Sequence, residues 1–78
     1  MLNKKEFGVR LRLARKTVNE SQDTLAKLLG VTPTQISDLE NGKTGTNLDR
    51  FLLLCEHYRV SADYLLGITD DPTWRGNA

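Results

Sequence analysis

The sequence predicts an all-α fold of five short helices, and two observations carry that expectation. Apolar residues recur at three- and four-residue spacing in successive segments. Between those segments stand helix boundary signals: Ser21, Thr32, Asn47 and Ser61 where helices begin, and Asn19, Gly30 and Asn41-Gly42 where they stop. At 78 residues the chain suffices for one domain with a small core, since a domain of roughly this size buries only about 60% of its unfolded surface.

Taken in order, the first helix runs from Lys4 to about Val18, with Phe7, Leu11, Ala14 and Val18 inward and Lys5, Arg12 and Lys16 on the wet side. Asn19 is placed to take a left-handed cap. Ser21 caps the second helix, whose inward face is Leu25, Leu28 and Leu29; Asp23 occupies the first turn, where the helix dipole favours an acid. Gly30 closes it in the left-handed conformation, and Val31 is the one apolar residue of the connection, suited to plug the corner. The third helix follows at once over about 32–41. Thr32 caps it, Pro33 sits where a missing N–H costs nothing, and Gln35 completes a Thr-x-x-Gln capping box. After a polar loop, Asn47 caps a fourth helix with Leu48, Phe51, Leu52, Cys55 and Tyr58 as its core stripe, and Ser61 caps a fifth. A domain over 1–68 is expected, followed by a polar tail over 69–78 that opens on Asp70-Asp71-Pro72.

Two amphipathic helices joined by three or four residues with a glycine form a helix-turn-helix arrangement. The second of them carries a distinctive outer face. Ile36 and Leu39 point to the core, while Thr34, Ser37, Asp38 and Asn41 follow helical spacing on the opposite side. Long Lys and Glu side chains would hold the backbone off a partner surface. These short polar groups instead suit entry into a groove about 12 Å wide, where they reach base edges.

The segment Ser21 to Lys43 resembles the lambda-repressor-like helix-turn-helix family, of the Cro, phage-repressor and XRE type, on an ordered set of residues: Ser21-Gln22, Leu25-Ala26, Gly30-Val31, Ile36 and Leu39-Glu40-Asn41-Gly42-Lys43. The likeness continues to Val60 through Gly67, which looks like the family's fifth helix, and covers about residues 4 to 68. It implies a sequence-specific double-stranded DNA-binding transcriptional regulator, most often a phage or mobile-element repressor, with Gln22, Asn41 and Lys43 on the DNA backbone. It also implies an ion pair between Arg15 and Glu40. Thr32, Thr34, Ser37 and Asp38 are then the expected base readers, threonine methyls meeting thymine methyls and Asp38 accepting from a cytosine amino group. Arg10 and Lys27 are candidates to add charge to the same face. Four residues depart from the pattern, the first being Asn19, where the family commonly has glycine. Glu20 stands where the family has an apolar residue, Leu53 where it often has lysine, and Pro33 where several phage repressors grip adenine with a glutamine.

Composition narrows the alternatives. One cysteine excludes an internal disulfide framework, no Cys/His cluster has zinc-ligand spacing, and nothing suggests a cofactor. Cys55 reads as a small core filler and His57 as a solvated side chain. No nucleophile, base and stabiliser converge and no phosphate-binding glycine loop is present, so an enzyme is not expected. The N-terminus lacks the apolar run of a signal peptide and the longest apolar run, Phe51 to Cys55, is far too short for a bilayer, so the protein is expected in the cytoplasm and off the membrane. Net charge is only +1, but residues 1–50 hold nine Lys/Arg against six Asp/Glu and the remainder two against four, which puts the basic half where the helix pair lies.

One recognition helix reads few base pairs. A homodimer, formed fully only on DNA, is therefore expected on an approximately palindromic operator, with Leu53, Tyr64, Leu65, Ile68 and Trp74 as apolar stock from which the contact is drawn, some of them serving the core. Trp74 is either an interface anchor or a plain tail aromatic. A DNA-binding antitoxin, which would turn its C-terminal residues toward a toxin, is the alternative partner reading.

Overall fold

The side chains just before each helix determine where it starts. In a computed structural model, which describes residues 1–74, five helices form in the order expected: α1 Lys4–Thr17, α2 Gln22–Leu29, α3 Pro33–Glu40, α4 Leu48–Tyr58 and α5 Ala62–Leu66. The tail residues 75–78 lie outside the described residues. Each N-cap, Asn3, Ser21, Thr32, Asn47 and Ser61, accepts a hydrogen bond from the backbone N–H three residues on, satisfying one otherwise orphaned donor. Asn3 is the cap that the sequence pattern did not single out.

Between the helices, Asn19 (φ 57°) and Gly30 (φ 68°) both take the left-handed conformation that stops a helix. Val31 packs against the core at the corner between α2 and α3. Helix α1 lies across α3 and α5, α2 packs on α3, and α4 packs on α5. Leu11, Leu25, Ile36, Leu54 and Leu65, one from each helix, are the largest fully buried side chains. Each contributes roughly 1.5–3 kcal/mol of hydrophobic stabilisation.

Several expected core assignments are corrected. Val18 caps α1 rather than belonging to it and is 54% exposed. Leu48 and Leu52 are exposed too, because the buried face of α4 is made by Phe51, Leu54, Cys55 and Tyr58 and leaves those two leucines on its flank. Of the residues expected to divide between core and contact, Leu65 is wholly buried and Leu53 is half-buried against the core.

Arg10 is also reassigned. Instead of facing a ligand, its guanidinium donates to the carbonyls of Tyr64 (3.1 Å) and Thr69 (2.7 Å) and to the carboxylates of Glu6 (3.0 Å) and Asp70 (2.6 Å). It also lies 4.7 Å over the Tyr64 ring, in cation-π range. This clasp starts the chain after α5 on a return path. Ser61 N–H then donates to Pro72 O at 3.1 Å, and Val60 and Thr73 form an isolated antiparallel bridge. Trp74 ends half-buried against the core.

Candidate nucleic-acid interface

Helix α3 owes its projection to a short, fully capped sequence. Thr32 Oγ1 accepts from Gln35 N–H (3.1 Å) while Gln35 Oε1 accepts from Thr32 N–H (2.9 Å), so both capping-box bonds are made and the helix begins abruptly at Pro33. Ile36 and Leu39 anchor it in the core. On the far side Thr32, Thr34 and Asn41 are exposed, with Ser37 and Asp38 half-buried beside them. Asn41 Nδ2 reaches Ser37 Oγ at 3.4 Å. Asp38 borders a shallow groove of about 180 Å³ shared with Thr46 and Arg50. Its carbonyl takes the N–H of Lys43 (2.9 Å), which holds the turn after α3 close to the helix while the Lys43 side chain stays exposed.

At the end of α3 lies a buried polar cluster. Arg15 Nε donates to Glu40 Oε2 (2.7 Å) and Arg15 Nη2 to Glu40 Oε1 (3.2 Å), a two-pronged pair between residues only 8% and 5% exposed. The remaining prong, Nη1, donates to the Glu20 carbonyl at 2.7 Å. Hydrogen bonding to Glu40 is the main reason the guanidinium is held above its ordinary pKa, so it remains a fixed cation. Gln22 joins the cluster by donating Nε2–H to Glu40 Oε1 at 3.0 Å. The N-terminus of α2 is thereby tied to the C-terminus of α3, which brings Gln22 and Asn41 to one end of the helix pair. Gln22 retains a second amide proton, and the α2 N-terminus keeps orphan backbone donors for an anion.

Glu20, one of the departures from the family pattern, has its own role in the loop before α2. Its carboxylate accepts from Tyr58 O–H (2.7 Å) and pairs with His57 Nε2 (2.7 Å), which ties the α1–α2 loop to α4. Burial, with the Glu20 hydrogen bond second, pushes the Tyr58 phenol far above the ordinary tyrosine range. His57 is surface-exposed but not a free solvated side chain.

Gly8 is a determinant that sequence reasoning passed over. A Cβ there would lie 2.3 Å from Glu40 O and 2.6 Å from Leu39 O, so the bare Cα of α1 is pressed against the last carbonyls of α3. A glycine inside an amphipathic helix reads simply as a weak helix former, and only the tertiary approach reveals its use. Among the described residues, no cluster of His, Cys, Asp and Glu could hold a metal, and no helix is long and apolar enough to cross a membrane.

A capped helix pair, closed by a left-handed glycine turn and presenting a short-chained polar face, defines a helix-turn-helix protein. The helix-turn-helix family model matches residues 11–65, and the chain belongs to that family in its lambda-repressor-like form. It is 36% identical over 63 residues to an uncharacterised HTH-type transcriptional regulator, YobD, of Bacillus subtilis, covering 81% of this chain and 56% of that protein. To repressor protein C2 of Salmonella phage P22 it is 35% identical over 65 residues, covering 83% of this chain and 30% of that protein. The chain thus spans about half of one relative and under a third of the other. A crystal structure of the P22 c2 repressor in complex with a synthetic operator superposes with a TM-score of 0.70 at 37% identity, over 77% of this chain and 91% of that one.

Proposed function

We propose that this protein is a sequence-specific double-stranded DNA-binding transcriptional regulator, a repressor of the phage type, that places α3 in the major groove. The observation that carries the reading is the short polar face of α3, held outward by Ile36 and Leu39 and braced at its end by Arg15, Glu40 and Gln22. The fold shared with an operator-bound repressor supports it. In this reading Gln22, Asn41 and Lys43 hold phosphates, while Thr32, Thr34, Ser37 and Asp38 read bases. The work is done in the cytoplasm, without a cofactor. Selection of bound duplexes from a random library tests it directly; recovery of no preferred sequence would refute it.

Backbone and base contacts separate by salt. Lys43→Ala is expected to weaken specific and non-specific duplexes alike and to lower the salt slope of binding by about one unit. Thr34→Ala, Ser37→Ala and Asp38→Ala should each shift the preferred base at one position, at roughly 1–3 kcal/mol. Fluorescence anisotropy on the selected site and its single-base variants checks both, and unchanged preferences in all three variants would mean the reading face lies elsewhere.

The protein acts as a dimer on an approximate palindrome. Exposed Leu48 and Leu52, with half-buried Phe51 and Trp74, border an open apolar groove of about 590 Å³ on the α4–α5 side, and this groove supplies the contact. Because the surface is small, the pair is weak in free solution and tightens when two half-sites are adjacent. Inserting five base pairs between half-sites whose centres lie about 34 Å apart turns them to opposite faces of the duplex and is expected to abolish cooperative binding. Gel-shift titrations that show equal cooperativity on both spacings would exclude the dimer.

A further inference from the structure

We infer that the outer face of α1 is a second phosphate-binding track, which grips the duplex backbone flanking the base pairs read by α3. This rests on the DNA-binding reading above and extends its footprint. Lys5, Arg12 and Lys16 stand at positions i, i+7 and i+11 of one helix, within about 40° of one another at about 100° per residue. All three are exposed, and among the described residues none forms an ion pair. With Asn41 and Glu40 they line a shallow groove of about 250 Å³. Glu40 adds no free negative charge there, because its carboxylate is held by Arg15 and Gln22. The track therefore starts at Asn41, already assigned to the DNA backbone, and carries three unneutralised cations away from it.

Its length suits a nucleic-acid strand. Lys5 to Lys16 covers about 16 Å along the helix axis, and one DNA strand presents a phosphate every 3.4 Å or so of axial rise, so several phosphates fall within reach. The Gly8 contact fixes α1 against the end of α3, so the cations cannot drift from the reading helix. Val9 and Leu13, each about half exposed (51% and 53%), flank the cations in the same groove and offer apolar surface to deoxyribose. A simpler role would be to complement the carbonyl end of α3, which has no basic residue in its last turn. That role needs a single cation such as Lys5, whose backbone lies against Gly42; it leaves Arg12 and Lys16 unexplained.

The test measures binding to a labelled 30-base-pair duplex of random sequence between about 50 and 200 mM salt. It compares the wild type, Lys43→Ala, single Arg12→Gln, and the triple variant Lys5→Gln/Arg12→Gln/Lys16→Gln. The triple variant is expected to lose two to three units of salt slope and Arg12→Gln about one, at roughly 0.9 per phosphate contact. Thermal midpoint and the base preference of the selected site should stay as in the wild type. If the triple variant keeps the wild-type slope while Lys43→Ala loses its unit, the α1 track is excluded and the DNA-binding reading stands. A wild type without salt-dependent duplex binding overturns both. If the triple variant binds DNA normally but loses binding to a polyglutamate peptide that the wild type retains, the face serves an acidic protein partner and the inference is overturned.

Discussion

Arg15→Ala is expected to destabilise the protein by about 3 kcal/mol, because it strips Glu40 of two of its three hydrogen bonds while leaving the carboxylate buried. A domain of this size has about 4–12 kcal/mol to lose in total. At roughly 4–8 °C per kcal/mol, the thermal midpoint should fall by about 12–24 °C. The penalty comes from the uncompensated charge rather than from the attraction itself, so replacing both partners with apolar residues of similar size, Arg15→Met with Glu40→Leu, should recover much of the loss. Gln22 and the Glu20 carbonyl would still be left without partners, so recovery is incomplete. Differential scanning calorimetry decides the matter: a single variant that melts within about 2 °C of the wild type would show that the buried pair contributes little.

Gly8→Ala should be destabilising in spite of its helix propensity. Alanine gains about 1 kcal/mol over glycine inside a helix. Here the added methyl meets two carbonyl oxygens and a carbonyl carbon of α3 at 2.3 to 2.7 Å, and these are backbone atoms that cannot rotate away. Relief requires α1 and α3 to separate, which opens the core around Phe7 and Leu39 and strains the seat of Arg15 and Glu40. The net cost is expected to be about 2 kcal/mol or more, read as a lower urea midpoint. DNA affinity should fall with it, since α3 is displaced. Gly45→Ala provides the contrast, because its methyl would meet only the Lys4 side chain at 3.7 Å, and it should be nearly neutral. A Gly8→Ala midpoint equal to or above that of the wild type would mean that the helices are not so closely apposed.

What the sequence could reveal was whatever depends on neighbours along the chain. Caps, left-handed stops and the inward stripes of α2 and α3 are local, and the helix order, the capping box and the Gly30 corner were legible from them. Arg15 and Glu40 are 25 residues apart, so only the family resemblance suggested that they meet. Leu48 and Leu52 carry the correct spacing for a core stripe but lie on the flank of a helix that turns Phe51, Leu54, Cys55 and Tyr58 to the core instead. Arg10 departs from its expected place for a related reason. An arginine on a basic helix looks free for a ligand until the chain 54 to 60 residues later comes back to claim it. Glu20 and Gly8 mark the limit from the other side, since neither has a sequence neighbour that hints at Tyr58, His57 or the carbonyls of α3.

Cys55 adds a kinetic handle. It is the only thiol of the chain, it sits 3% exposed on the buried face of α4, and burial holds its pKa above that of a free cysteine. A thiol in that setting reacts with an alkylating reagent only during excursions that lift α4 from the rest of the domain. The protein therefore contains its own clock for opening. When the reagent is slow relative to closing, the modification rate follows the equilibrium population of the open form. Saturating operator DNA should slow that clock by the factor with which it suppresses opening, so one chemical trace would report occupancy of a surface on α3 through the protection of a sulfur atom on α4.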